Sequence, residues 1–230
     1  REYLKTDATS KQIKECLSLC GPSVERIHTL KGETVYDIEI TSNRPDAMSI
    51  MGIAREASVI LPRFNIDAAL IGDPYKKETG IKHLGSDTTK LRITTDSAFN
   101  PRWTSVVFNH VNIKTSPGWL TKRLELVGVR SINNVIDITN YLMHAYGQPA
   151  HVFDYDAIAR GIMKLRPSKK GETLVTLDGK THSLPGGDIV IEDGSGNLID
   201  LCGIMGGKNS SVTEKTTRVV LFLQTYNPTQ

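Results

Sequence analysis

Cysteine is scarce in this 230-residue chain: Cys16, Cys20 and Cys202 are the only three, with no Cys-x-x-Cys pair and no Cys/His cluster. That argues against a disulfide scaffold or a structural zinc site and suits a reducing cytoplasm. Long apolar runs are also missing. None approaches the length of a membrane span, and no signal-peptide pattern opens the chain. There is no tract of five or more Lys/Arg residues, so the net charge of +3 permits contact with RNA without implying it. The phosphate loop GxxxxGK[ST], the dinucleotide fingerprint GxGxxG, the GxSxG elbow and the HExxH metal motif are all absent. The first residue is Arg1 rather than Met, as expected of a processed or trimmed piece.

What is present reads as an ordinary globular protein, 39% apolar and 23% charged, long enough for one large domain or two modest ones. Residues 9–20 place Ile13, Cys16, Leu17 and Cys20 at helical spacing, with Gly21-Pro22 as the stop. Residues 34–41 alternate as a half-buried strand, and Ser42 to Asp46 form a turn with Asp46 as N-cap. The next helix buries Ala47, Ile50, Met51, Ala54, Ala57 and Leu61 and ends at Pro62. A polar stretch over 72–90 reads as a linker. Beyond it come a strand at 104–113 and a helix capped by Ser116, with Pro117 at its first position and Gly128 as its stop. Asp178-Gly179 signals a two-residue hairpin, residues 193–197 join a second hairpin, and 218–223 form a buried strand. The expectation is an α+β chain of two domains.

The most informative segment is 131–154. Ile132, Val135, Ile136, Leu142, Met143 and Tyr146 follow helical spacing, and Gly147 and Pro149 end the helix. Thr139 falls inside that apolar stripe with Asn140 beside it. Buried polar groups must find partners, so either Thr139 bonds back to its own helix and Asn140 caps a loop, or both line a pocket. His151 follows within one short turn restrained by Pro149. A neutral imidazole there could hydrogen-bond a substrate or orient a water, although a lone histidine after a helix is more often structural. In Leu201–Gly207, Gly203, Gly206 and Gly207 punctuate an apolar run, giving either a bulge or bare N–H groups open to a carbonyl or oxyanion.

Taken together, residues 42–56, 132–154, 176–179 and 203–207 resemble, in order and spacing, the β subunit of bacterial-type phenylalanyl-tRNA synthetase. The resemblance extends over nearly the whole chain. It implies a small N-terminal α/β domain over 1–86, without the usual inserted tRNA-binding module, and a larger mixed-sheet editing domain over 87–230. In that family the editing domain hydrolyses tyrosine wrongly attached to tRNA(Phe). The family's pocket carries over to Thr139, Asn140, His151, Gly203 and Gly206, and Pro101-Arg102-Trp103 matches a Pro-Arg-Tyr pattern near it. One departure stands out: Phe222 occupies the position of a family glutamate that recognises the tyrosine hydroxyl. Of its neighbours Gln224 and Thr225, only one can share its face of the strand. The resemblance further implies an α-subunit partner in an α2β2 assembly, tRNA(Phe) as substrate, and ATP and Mg2+ used by the α subunit rather than this chain. A non-catalytic scaffold is the competing expectation.

Overall fold

The computed structural model describes residues 2–73 and 89–227, so most of the expected 72–90 linker and the boundary at 86 lie outside the described residues. The chain is α+β and divides into two compact units. The first takes the chain up to residue 84 together with Ser116–Ile132 and Asp137–Pro149; the second takes the rest. Two segments that the sequence assigns to the second domain therefore cluster with the first.

In the first unit, α1 (Ser10–Cys20) begins in a capping box, where the Thr9 hydroxyl accepts from the Gln12 amide and the Gln12 side chain accepts from the Thr9 N–H. Its Cys16 and Leu17 pack with Ala57, Ile60 and Leu61, from α2 (Ile50–Ile60) and the turn after it. The α2 helix begins later than expected. Ser49, not Asp46, is its cap, because the Asp46 carboxylate is held by Arg44 instead. Ile50, expected in the core, is exposed, while Met51 and Ala54 pack with Tyr3. Strands β1 (Leu4–Thr6) and β4 (Ala68–Leu70) pair antiparallel, and β2 (Ser23–Leu30) and β3 (Glu33–Glu39) form a hairpin turned by Lys31 and Gly32, both at positive φ.

Helices α3 (Gly118–Leu126) and α4 (Asn134–Tyr146) explain the non-contiguous unit. Lys31 and Glu33 pair with Glu125 and Lys122, Glu2 pairs with Arg123, and Tyr146 packs edge-on against Tyr3. Pro117, not Ser116, caps α3, since the Ser116 hydroxyl donates to Asp137 at 2.5 Å. The three residues that open α4, within 133–136, count with the second unit.

The second unit holds a five-stranded sheet in the order β13-β12-β11-β8-β5 and a three-stranded one in the order β6-β14-β7. The first is built from β5 (Arg92–Thr94), β8 (Ile162–Pro167), β11 (Ile189–Asp193), β12 (Leu198–Leu201) and β13 (Met205–Gly206). The second contains β6 (Arg102–Phe108), β7 (His151–Asp154) and β14 (Val219–Thr225). Met163, Leu165, Ile191 and Ile199 of the larger sheet share one core with Phe153, Val220 and Phe222 of the smaller. The β6 strand stops at Phe108, short of the expected 113, and His110 just beyond it has positive φ. Strands β9 (Thr173–Val175) and β10 (Thr181–Ser183) pair as expected. The loop between them is longer than two residues: Thr176 N–H donates to the Lys180 carbonyl, with Gly179 at positive φ.

Candidate functional site

Within the second unit, the pairing of the smaller sheet sets the geometry. Phe222 on the central strand β14 stands directly across from His151 on one side and Ser105 on the other. Strand alternation puts Val220, Phe222 and Gln224 on one face, with Trp103 across from Gln224 and Phe153 across from Val220. Arg102 and Thr225, paired with each other, belong to the opposite face, and Arg102 is exposed. So Gln224, rather than Thr225, is the neighbour that shares a face with Phe222.

His151 lies against Gly206. A Cβ added to Gly206 would come within 2.5 Å of the imidazole Cε1 and Nε2, so the ring occupies space that only glycine leaves open. The ring also meets Phe153 edge-on, with centroids 4.5 Å apart. Burial pushes the His151 pKa down to about 4, so the imidazole is neutral at physiological pH. Gly203 turns the chain at φ +71°, and the Tyr226 ring lies beside it, 3.7 Å from where a Cβ would stand. The second unit thus brings His151, Gly206 and Phe222 together and sets Gly203 near the end of the same strand.

Phe222 is a core side chain, 4% exposed, with edge-on contacts to Trp103 and Phe153 at centroid distances of 4.9 and 5.5 Å. Asp200 is buried too, and burial raises its carboxyl pKa to about 7, with a hydrogen bond from Cys202 lowering it only in part. The Cys202 thiol and the Tyr226 hydroxyl are pushed up by the same loss of solvent. Nothing in the pattern of the sequence singled out Asp200, because it sits in the apolar run Leu198–Leu201.

Thr139 and Asn140 belong to α4 in the first unit, Thr139 buried and Asn140 half-buried. The polar centre of this region is a residue the sequence reading passed over. Asp137 is fully buried and accepts from the Ser116 hydroxyl, the Ser131 hydroxyl and the Ile132 N–H, the last at 2.8 Å. At the start of α4, the Asn133 side chain accepts from the N–H groups of Val135 and Ile136 and caps the helix.

A cleft of about 360 Å³ lined by Glu172, Thr173, Leu174, Gly196, Asn197 and Asn209 contains none of these residues. The His151 region, where a neutral imidazole sits over a glycine beside aromatic side chains, is the stronger candidate.

The amino-acid sequence matches a known family. Residues 100–230 match the model of the B3/4 domain family. The chain is 36% identical over 200 residues to a protein of Geobacter sulfurreducens named phenylalanine–tRNA ligase beta subunit, covering 85% of this chain and 24% of that protein. It is 40% identical over 198 residues to the protein of that name from Dehalococcoides mccartyi, covering 85% of this chain and 23% of the relative. For the Porphyromonas gingivalis protein of that name the figures are 35% over 211 residues, 90% and 25%. The chain thus spans about a quarter of the length of these relatives. Among solved structures, an N-terminal fragment of the phenylalanyl-tRNA synthetase β subunit from Pyrococcus horikoshii aligns with 96% of this chain and 64% of its own at 12% identity, with a TM-score of 0.47, too loose a likeness to carry weight.

Proposed function

The chain belongs to the B3/4 domain family, in the form carried by phenylalanine–tRNA ligase β subunits, and we propose that it removes tyrosine wrongly esterified to tRNA(Phe). The observation that carries this reading is the neutral, half-buried imidazole of His151 seated over Gly206. The aminoacyl ester is already activated, so hydrolysis needs an oriented water and support for the developing oxyanion more than a strong base. A neutral imidazole can accept a hydrogen bond from that water or from the terminal ribose. Backbone N–H groups around Gly203 and Gly206 would meet the aminoacyl carbonyl, and the exposed Arg102 suits a phosphate of the acceptor end. ATP and Mg2+ chemistry would belong to an α-subunit partner in an α2β2 assembly located in the cytoplasm.

A second reading has its own observation. Phe222, buried between Trp103 and Phe153, supplies no acceptor for a tyrosine hydroxyl. On that reading the domain is a scaffold that positions tRNA. The test is hydrolysis of Tyr-tRNA(Phe), with Phe-tRNA(Phe) as control, by the 230-residue chain. Selective loss of tyrosine, cut at least about tenfold by His151→Ala, is the expected result. An inactive chain that gains tyrosine-selective hydrolysis on Phe222→Glu would establish the scaffold reading instead.

A further inference from the structure

The side-chain amide of Gln224 is fully enclosed, and neither its nitrogen nor its oxygen has a hydrogen-bond partner; among the described residues no other side chain has a polar atom so buried and unmatched. Its surroundings explain why nothing inside the fold answers it. Trp103, directly across the strand, spends its indole N–H on the Ser105 hydroxyl at 2.7 Å. Asn100 donates to the carbonyl of Thr225 at 3.2 Å. A buried amide left unmatched is costly, and such groups in folded proteins are normally answered by a water or a ligand.

Position ties this amide to the candidate site. Gln224 shares its face of β14 with Phe222, which pairs with His151, so Gln224 and His151 are diagonal neighbours across the ladder. Diagonal pairs stand about 7–8 Å apart, on the scale of a substituted aromatic ring. Two residues along, Tyr226 lies against Gly203. The walls nearby are aromatic: Trp103, Phe222 and Phe153 meet edge to face. Trp103 and Tyr226, only half-buried, are the side chains whose movement would admit a ring.

We propose that the Gln224 carboxamide is the specificity determinant of this site, reading the phenolic hydroxyl of a bound tyrosyl group. This rests on the editing reading above. The chemistry fits a neutral hydroxyl, which donates one hydrogen bond and accepts others: Oε1 accepts the phenol proton, and Nε2 donates to the phenol oxygen. A site with buried polar groups also discriminates against the ring that lacks the hydroxyl, since phenylalanine would leave the amide unmatched. On this view Phe222 forms the wall of the ring pocket, and its neighbour two residues on makes the polar contact.

The test is equilibrium binding of two stable probes, 3′-tyrosylamino-adenosine and 3′-phenylalanylamino-adenosine, in which an amide replaces the ester. The 230-residue chain is compared with Gln224→Met, of similar length and without the amide, and with Gln224→Glu. Wild type is expected to prefer the tyrosyl probe by about tenfold or more. Gln224→Met should erase that preference by weakening the tyrosyl probe alone, with Gln224→Glu restoring part of it. A preference that survives in Gln224→Met overturns the assignment while leaving the editing reading in place, and marks the amide as a water-binding structural group. Equal binding of both probes by wild type also overturns it. Binding of neither probe removes the editing reading itself.

Discussion

Asp137 shows how much one side chain holds in the first unit. A carboxylate buried to zero exposure survives there because the Ser116 and Ser131 hydroxyls and the Ile132 N–H all donate to it. Asp137→Ala would orphan these donors at once, and the expected loss is about 3 kcal/mol of unfolding free energy in urea. Asp137→Asn keeps an acceptor and should lose less than half as much. A change below about 0.5 kcal/mol in the alanine variant would show the network to be solvated. Sequence periodicity pointed to Thr139 and Asn140 because they interrupt an apolar stripe. Asp137 escaped because it reads as one more polar residue off that stripe, and its donors lie up to 21 positions away.

At the scale of elements, close approaches decide more than propensities do. Gly52 sits in the first turn of α2, where a Cβ would run into the Asp46 carbonyl oxygen and stand 2.8 Å from the Ala47 Cα. Those atoms are backbone of the tight turn that feeds the helix, so they cannot swing away. Gly52→Ala, favourable for an isolated helix, is therefore expected to destabilise the chain by about 1–3 kcal/mol, read from the midpoint of thermal or urea unfolding. A stabilised variant would mean that the turn and helix are free to separate. The same logic explains where element boundaries departed from expectation. Ser116 and Asp46 have the chemistry of caps, but one is engaged by Asp137 and the other by Arg44, and Pro117 and Ser49 stand at the N-cap positions instead. The strand β2 went unread because a register shift between Val24 and Arg26 breaks its alternation.

For the whole molecule, two groups held away from solvent to different degrees, His151 half-buried and Asp200 buried, should shape the dependence of stability on pH, with opposite signs. His151 has a folded pKa of about 4, below its ordinary 6.5, so between these values the unfolded chain holds a proton that the folded one lacks, and stability falls as pH falls. Asp200 has a folded pKa of about 7, above its ordinary 3.8, so the folded chain holds the extra proton and stability falls as pH rises. Between about pH 4 and 6.5 the two slopes offset each other. Asp200→Asn should uncover a stability that rises with pH by up to about 1.4 kcal/mol per unit across that window, relative to wild type. His151→Gln should uncover the reverse slope. Parallel pH profiles for all three proteins would show that neither group is shielded as its burial implies.

Local patterning was enough to set the α+β class, the main helices, the hairpin pairs at 173–183 and 189–201, and the family, since these depend on contacts over short stretches of chain. It also pointed to His151, Gly206 and Phe222, which the second unit does bring together. It could not show that residues 116–132 and 137–149 fold with the first unit, because ion pairs and aromatic contacts spanning 89 to 143 positions hold them there. Nor could it show that Phe222 is sealed in the core, that Asp200 is cut off from solvent, or that Gln224 is left without a partner. Burial and hydrogen-bond satisfaction belong to a side chain's surroundings in space, and here those surroundings come from strands distant in sequence.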